Sequence, residues 1–147
     1  MLTPVEFLLA RVTDLEAKAF GATAGPWSPS LLQDTDGTQV DVVVEQAEAV
    51  YPDAHEVATV PRCGHHNVNR SADAAHIATW DPAFVLTWCT AVRQIMGHHS
   101  DAFGDGRLCH VCGVLGGLSY PCRTLLALLQ PFADHPDFDP AWRQEDT

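Results

Sequence analysis

The chain has 147 residues, a length that fits one domain, and 46% of them are hydrophobic, which excludes a disordered chain. Its 8 basic and 19 acidic residues give a net charge of −11, so direct binding to a nucleic-acid backbone is disfavoured. An acidic surface favours solubility and can also attract a basic partner. No apolar run approaches the length of a bilayer span and no secretion signal precedes the first helix, so we expect a cytoplasmic protein without a membrane anchor.

The first predicted element is a helix over residues 3–20. Thr3 can serve as its N-cap, Pro4 takes the first helical position and Glu6 completes a T-x-x-E capping box. Apolar residues then recur at helical spacing, which predicts one buried stripe, and Gly21 ends the helix. The members of this stripe are Val5, Leu8, Leu9, Val12, Leu15 and Ala19.

Short strands are predicted next in the chain. Residues 39–44 are rich in β-branched side chains and follow a turn signal at Asp36-Gly37. Residues 56–60 are a second candidate, which Pro61 closes. We therefore expect two or three short antiparallel strands.

Two more helices follow the strands. Ser71 and Asp73 predict a short helix that runs to Ala78. An N-cap and a proline at residues 81–82 then predict a long amphipathic helix over 82–97, whose apolar stripe can pack on the first helix as an antiparallel pair. Cys89 lies on that stripe, so we expect it to be an inert core residue rather than a ligand.

The C-terminal segment, residues 100–147, carries a predicted zinc knuckle. Cys109 and Cys112 form a C-x2-C pair, whose spacing lets two thiolates of one tight turn reach the same ion, and Gly113 tolerates the backbone turn. Cys122 opens a short helix over 124–129, where unpaired N–H groups favour the thiolate. These three cysteines predict one zinc ion.

The fourth ligand is a histidine or a fourth cysteine. His99 falls one turn beyond the apolar side of the long helix and is favoured, with His98 and Cys63 as alternatives. Four protein ligands would make a closed, structural site. The predicted fold is therefore α+β and a single domain over 1–147, in which a helix–sheet–helix body (1–99) precedes the zinc-stabilised segment.

A connector at 61–70 holds a second group of metal-binding residue types. Cys63, His65 and His66 could form another metal site or part of a catalytic one, although a polar surface loop is the more common use. The H-x-E and P-C-x-x-C motifs of zinc deaminases and the H-E-x-x-H motif of zincins are absent. We therefore expect a non-enzymatic module that binds another protein, with a metal-dependent hydrolase or nuclease using this connector as the alternative.

Aromatic residues suggest how the chain ends and where it meets a partner. Phe132, Phe138 and Trp142 are expected to dock the C-terminal tail on the body. Trp80 and Trp88 predict core packing or, if exposed, a partner surface.

Several stretches resemble a family of small uncharacterised proteins from actinobacteria and their phages, a domain of unknown function. The ending PCRTLLALLQPFADHPDFDPAW (121–142) is similar to the family pattern PCxTLRxLAxPYADHPDY followed by a Trp. HIATWDPAFVL (76–86), AVRQIMGHH (91–99), the N-terminal LTPVEFLLARVTDLEA and the GPW at 25–27 also fit.

The resemblance implies a site of three cysteines and one histidine, with His99 at the position of the family histidine. It also implies a bacterial or phage setting, in which the module would modulate a host protein, but it supplies no reaction. A more apolar helix face where the family carries polar and basic residues indicates either a different partner or tighter internal packing. The departing positions are Trp80, Phe84, Thr87, Trp88 and Val92.

Overall fold

The computed structural model describes the protein over five ranges, with helices and strands mixed along the chain. These ranges are 2–33, 39–45, 56–59, 70–113 and 120–144. Contacts group the chain into two compact units. We call Ala17–Thr87 the sheet unit, and Met1–Glu16 together with Trp88–Thr147 the terminal unit. The single domain over 1–147 stays a prediction. Within the described ranges, no helix has both the length and the apolar character that a membrane crossing requires.

Helix α1 spans Pro4–Gly21 and begins with the predicted capping box. The Thr3 N–H donates to Glu6 Oε2 at 2.8 Å, and the Glu6 N–H donates to Thr3 Oγ1 at 3.2 Å. The hydrogen bonds from the backbone and hydroxyl of Thr3 lower the pKa of the Glu6 carboxyl. The predicted stripe is wrong at Leu9, which is exposed, because α1 instead turns Phe7 into the interior.

Three strands form an antiparallel sheet in the order β1-β2-β3. They are Trp27–Gln33 (β1), Gln39–Glu45 (β2) and Glu56–Thr59 (β3). The sequence pattern did not assign β1, which contains Pro29, and an edge position explains why that proline is tolerated. A register shift between Val43 and Val44 marks a bulge against β3. The turn predicted at Asp36-Gly37 and the strand residue Val60 lie outside the described residues.

Small apolar side chains fill the core of the sheet unit. Helix α2, Arg70–Thr79, buries two alanines against Val43 of the central strand. These alanines are Ala74 and Ala78, and Trp27, Val57 and Ala58 pack around the group. Such short side chains let a helix approach a sheet closely, so the core depends on shape more than on bulk.

Asp81 joins α2, β1 and helix α3 (Pro82–His98) within the sheet unit. Its carboxylate accepts a hydrogen bond from the Phe84 N–H at 2.7 Å, which caps α3, and another from the Trp27 N–H at 3.3 Å. A Cβ at Gly25 would lie 2.9 Å from Asp81 Oδ2, so a larger residue at this position would press on the carboxylate. The predicted N-cap at Asp81 is therefore confirmed, and it has a second partner that the sequence did not reveal.

In the terminal unit, α3 contacts α1 through a bidentate ion pair. Arg93 donates to both carboxylate oxygens of Glu16, at 2.8 and 2.7 Å, and this lowers the pKa of Glu16. The Cys89 thiol is fully buried, lies 3.8 Å from the Val12 carbonyl oxygen, and has its pKa raised by that burial. The expectation that Cys89 is an inert core residue fits this burial. The antiparallel arrangement of the two long helices stays a prediction.

The C-terminal tail packs on Phe7 of α1. Helix α4, Arg123–Leu129, is followed by 3₁₀ turns at Gln130–Phe132 and Pro140–Trp142. The Phe7 ring centroid lies 5.4 Å from that of Trp142, 5.9 Å from Phe138 and 6.5 Å from Phe132. The predicted docking of the aromatic tail is confirmed, and Phe7 is the residue that receives it.

Candidate metal centre

A hairpin-like loop returns the chain from the end of α3 to the cysteine pair. His99 directly follows α3, and its N–H donates to the Ile95 carbonyl at 2.9 Å, which continues the helical pattern by one residue. Asp101 then pairs with Cys109 as an isolated antiparallel bridge. The His110 N–H reaches the Ser100 carbonyl at 2.9 Å. This pairing brings His99 next to Cys109, although ten positions separate them in the sequence.

The Asp101 carboxylate organises the tip of this loop. It accepts hydrogen bonds from the N–H groups of Phe103 at 3.2 Å and Gly106 at 2.5 Å. Gly104 and Gly106 have φ values of 72° and 73°, a left-handed backbone that favours glycine. Sequence reasoning missed this role of Asp101, although an aspartate before closely spaced glycines is the signal that would have shown it.

Cys109 and Cys112 lie on one tight turn, as their spacing predicted. The Gly113 N–H donates to the Cys109 carbonyl at 2.7 Å, and the Cys112 N–H points at the Cys109 sulfur at 3.5 Å. Gly113 is needed for a different reason from the one expected. Its φ is not in the left-handed region, but a Cβ there would lie only 2.3 Å from Cγ of Leu108.

Cys122 is the N-cap residue of α4 and is almost fully buried. Burial alone would raise the pKa of its thiol. The backbone N–H groups of Leu125 and Thr124, together with the thiols of Cys109 and Cys112, outweigh that effect and lower the pKa below its ordinary value. This direction agrees with the expectation of an activated thiol at the start of this helix.

Three sulfurs and one nitrogen meet at a single point. His99 Nδ1 lies 3.5 Å from the Cys109 sulfur and 3.4 Å from the sulfurs of Cys112 and Cys122. All four ligand atoms lie within 4.8 Å of one another, so this group could hold a metal ion. Leu125 is buried with Cys109 and Cys122, and partly buried hydrophobic side chains pack against the group. Those side chains are Val5, Met96, Tyr120 and Leu128.

Clustering the thiols makes their joint ionisation unfavourable without a cation. Burial, together with hydrogen bonds to the thiols of Cys122 and Cys109, raises the pKa of Cys112 to about 11. The same arrangement lowers the pKa of Cys122, so Cys112 holds its proton more strongly than Cys122 does. A divalent cation at the centre would remove this repulsion and displace the remaining protons.

The structure separates the candidates for the fourth ligand. His99 reaches the sulfurs, whereas His98 is exposed and is not part of the cluster. Cys63, the third candidate, lies outside the described residues, as do His65 and His66, so both the favoured surface loop and the alternative second site at the connector stay predictions.

Comparison with known proteins gives one result. A family model described as "Family of unknown function (DUF6221)" matches residues 1–144. No curated protein and no solved structure matches the chain.

Proposed function

This chain belongs to a family of unknown function, DUF6221, and from its metal centre we propose that it is a non-enzymatic protein-interaction module built around one structural zinc ion. The observation that carries the proposal is the convergence of three cysteine sulfurs and one histidine nitrogen within 4.8 Å.

The distances between the ligand atoms fit a tetrahedral zinc site. With Zn–S bonds of about 2.3 Å and a Zn–N bond of about 2.0 Å, a regular tetrahedron has S–N edges of about 3.5 Å. The three edges between His99 Nδ1 and the sulfurs measure 3.4 to 3.5 Å. Three thiolates and one imidazole are soft and borderline donors, and such donors bind zinc in preference to magnesium or calcium.

A set of four protein ligands favours a structural role over catalysis. Metal catalysis needs an open position for water or substrate, and Cys109, Cys112, Cys122 and His99 would fill a tetrahedron. Bound zinc would link the end of α3, the knuckle and the start of α4, which offsets the entropy lost on ordering the glycine-containing loop.

Charge supports a protein as the partner. A net charge of −11 repels nucleic-acid backbones and attracts basic protein surfaces. We place the module in the cytoplasm, because zinc-binding thiols persist where the environment is reducing. An actinobacterial or phage origin, with a host protein as the target, is the finer form of this proposal and rests on the motif resemblance alone.

Metal analysis of the purified protein tests the centre. We expect one zinc ion per chain, and Cys109→Ser, Cys112→Ser or Cys122→Ser should lose it. Cys89→Ser is the matched control, because Cys89 is buried outside the cluster and should leave the metal in place. His99→Ala against His98→Ala makes the same comparison for the fourth ligand.

Coordination and partner capture complete the test. X-ray absorption should report three sulfurs and one nitrogen, and a site with an open position carrying water would favour the hydrolase alternative instead. Affinity capture from actinobacterial lysate should recover a protein without nucleic acid. Protein that folds without stoichiometric metal would contradict the zinc proposal.

A further inference from the structure

We propose that Ile77, Trp80 and Phe84 of the sheet unit form a docking surface for a basic, partly apolar peptide segment of a partner protein. We call these three residues the aromatic corner. The inference rests on the proposed interaction function and names the surface and the partner chemistry for it.

The corner is an apolar surface that the protein leaves open. Trp80 is 48% exposed, Phe84 44% and Ile77 36%. The rings of Trp80 and Phe84 meet edge to face, with centroids 5.2 Å apart and planes at 83°. Two rings at a right angle form the walls of a shallow corner, and His76 extends the row with its ring centroid 6.5 Å from that of Trp80.

Hydrogen bonds order the main chain at both aromatic residues before any partner arrives. The Trp80 N–H donates to the Ile77 carbonyl at 3.1 Å, which ends α2. Asp81 then caps α3 through the Phe84 N–H and also accepts from Trp27 of β1. These hydrogen bonds order the main chain at both aromatic residues, which reduces the entropy that the surface loses on binding.

The charges around the corner favour a cation. The Asp81 carboxylate lies between the two aromatic residues in the sequence, and among the described residues it accepts only backbone hydrogen bonds, with no basic side chain paired to it. Asp73 stands exposed on α2, seven residues before Trp80. Aromatic faces attract Arg and Lys directly, and a chain of net charge −11 strengthens that preference.

In the part of the chain that the structure describes, no arginine or lysine is seated on the Trp80 or Phe84 ring. Among the described residues, the cations seated on rings are Arg11 over Phe7 and Arg143 over Phe138, both in the terminal unit. A partner that supplies arginine or lysine with apolar neighbours would cover the rings with its aliphatic stems and place its charge near Asp81. Tryptophan and arginine are also the residues that most often dominate binding energy at protein interfaces.

Fluorescence anisotropy with labelled synthetic peptides tests the proposal. The probe is a short peptide of alternating leucine and arginine, with two counterparts in which glutamate replaces arginine or serine replaces leucine. We expect the leucine–arginine peptide to bind most tightly and the glutamate peptide not to bind. Trp80→Ala should weaken binding about tenfold and Phe84→Ala somewhat less.

Matched variants separate the corner from general effects. Phe20→Ala removes a ring that is 76% exposed in the same unit and has no ring contact with Trp80 or Phe84 among the described residues, so it should change affinity less than about twofold. Trp80→Phe keeps an aromatic face and should restore most of the binding. Circular dichroism and the melting temperature of each variant confirm that it folds.

Each other outcome overturns the inference. Equal binding of the glutamate peptide would mean unspecific apolar contact, and equal binding of the serine peptide without an effect of Trp80→Ala would mean attraction by net charge alone. Self-association that Trp80→Ala abolishes in sedimentation would make a second copy the occupant. Vesicle binding that depends on Trp80, with no peptide binding, would make a membrane the occupant of the corner.

Zinc content measured on the same samples keeps the two proposals apart. The corner lies in the sheet unit, and all four candidate ligands lie in the terminal unit. One zinc ion per chain without peptide binding overturns the corner alone. Peptide binding without zinc overturns the metal proposal and leaves the corner standing.

Discussion

In the sheet unit the buried side chains are small and the backbone pairing of three strands carries the architecture, whereas in the terminal unit large rings and thiols fill the interior. Val43, Ala74 and Ala78 form the first core. The second contains Cys109, Cys122 and Leu125 beside an aromatic cluster on Phe7. A sheet can fold on local hydrogen bonds and close packing, but a cluster of thiols gains its stability only with a cation.

Removal of the metal should have the largest effect on stability, and the two units should respond differently to it. Structural zinc contributes on the order of 10 kcal/mol in small zinc domains, so chelation should open the terminal unit while the sheet unit keeps its hydrogen bonds. Hydrogen exchange measured by mass spectrometry should show lost protection in 88–113 and 120–144, and little change in 27–33 and 70–79. Equal loss in both units would show that the chain unfolds as one block and would break the comparison.

Phe7→Ala should give the next largest effect. The ring is fully buried against Phe138 and Trp142, and deleting such a ring costs about 3–5 kcal/mol. Urea unfolding at saturating zinc measures the loss. Phe20→Ala on the same helix is the control and should change the unfolding free energy by less than about 0.5 kcal/mol. A similar loss in both variants would mean that the aromatic tail contributes little.

Gly25→Ala tests close packing in the sheet unit. The added Cβ would press on the Asp81 carboxylate, and overpacking of this kind costs about 1–3 kcal/mol. Gly21→Ala is the matched control, since a Cβ at Gly21 meets nothing within 4 Å and should be neutral or stabilising. Thermal unfolding of the pair would sharpen the comparison, and equal melting temperatures would contradict the close contact.

Thr3→Ala should have the smallest effect, about 1 kcal/mol, because it removes one helix cap. Its size should depend on pH. Hydrogen bonds from Thr3 lower the pKa of Glu6 from 4.5, so their stabilisation is complete above pH 4.5 and declines as the pH falls through the lowered value. Urea unfolding at neutral and acidic pH should show the difference between wild type and variant narrowing in acid. A constant difference would assign the whole effect to the hydrogen bond that the Thr3 hydroxyl accepts from the Glu6 N–H, not to the one it donates to the carboxylate.

Helix starts and the cysteine pair were predictable because their signals act over three or four residues. Thr3 and Glu6 bond each other within one turn, and Asp81 caps the helix that begins at the next residue. β1 was not predictable in the same way. Its serines and Pro29 lack a strand pattern, and the segment is extended because β2 supplies its hydrogen bonds.

The sequence by itself determined the helix boundaries to within about two residues and the C-x2-C turn, since each depends on neighbouring backbone atoms. The sequence favoured His99, but only the tertiary structure decided that it rather than His98 reaches the sulfurs, that Phe7 rather than Leu9 faces inward, and that Gly25 passes close to Asp81. These choices depend on atoms brought together from distant parts of the chain, and no spacing along the sequence encodes their distances.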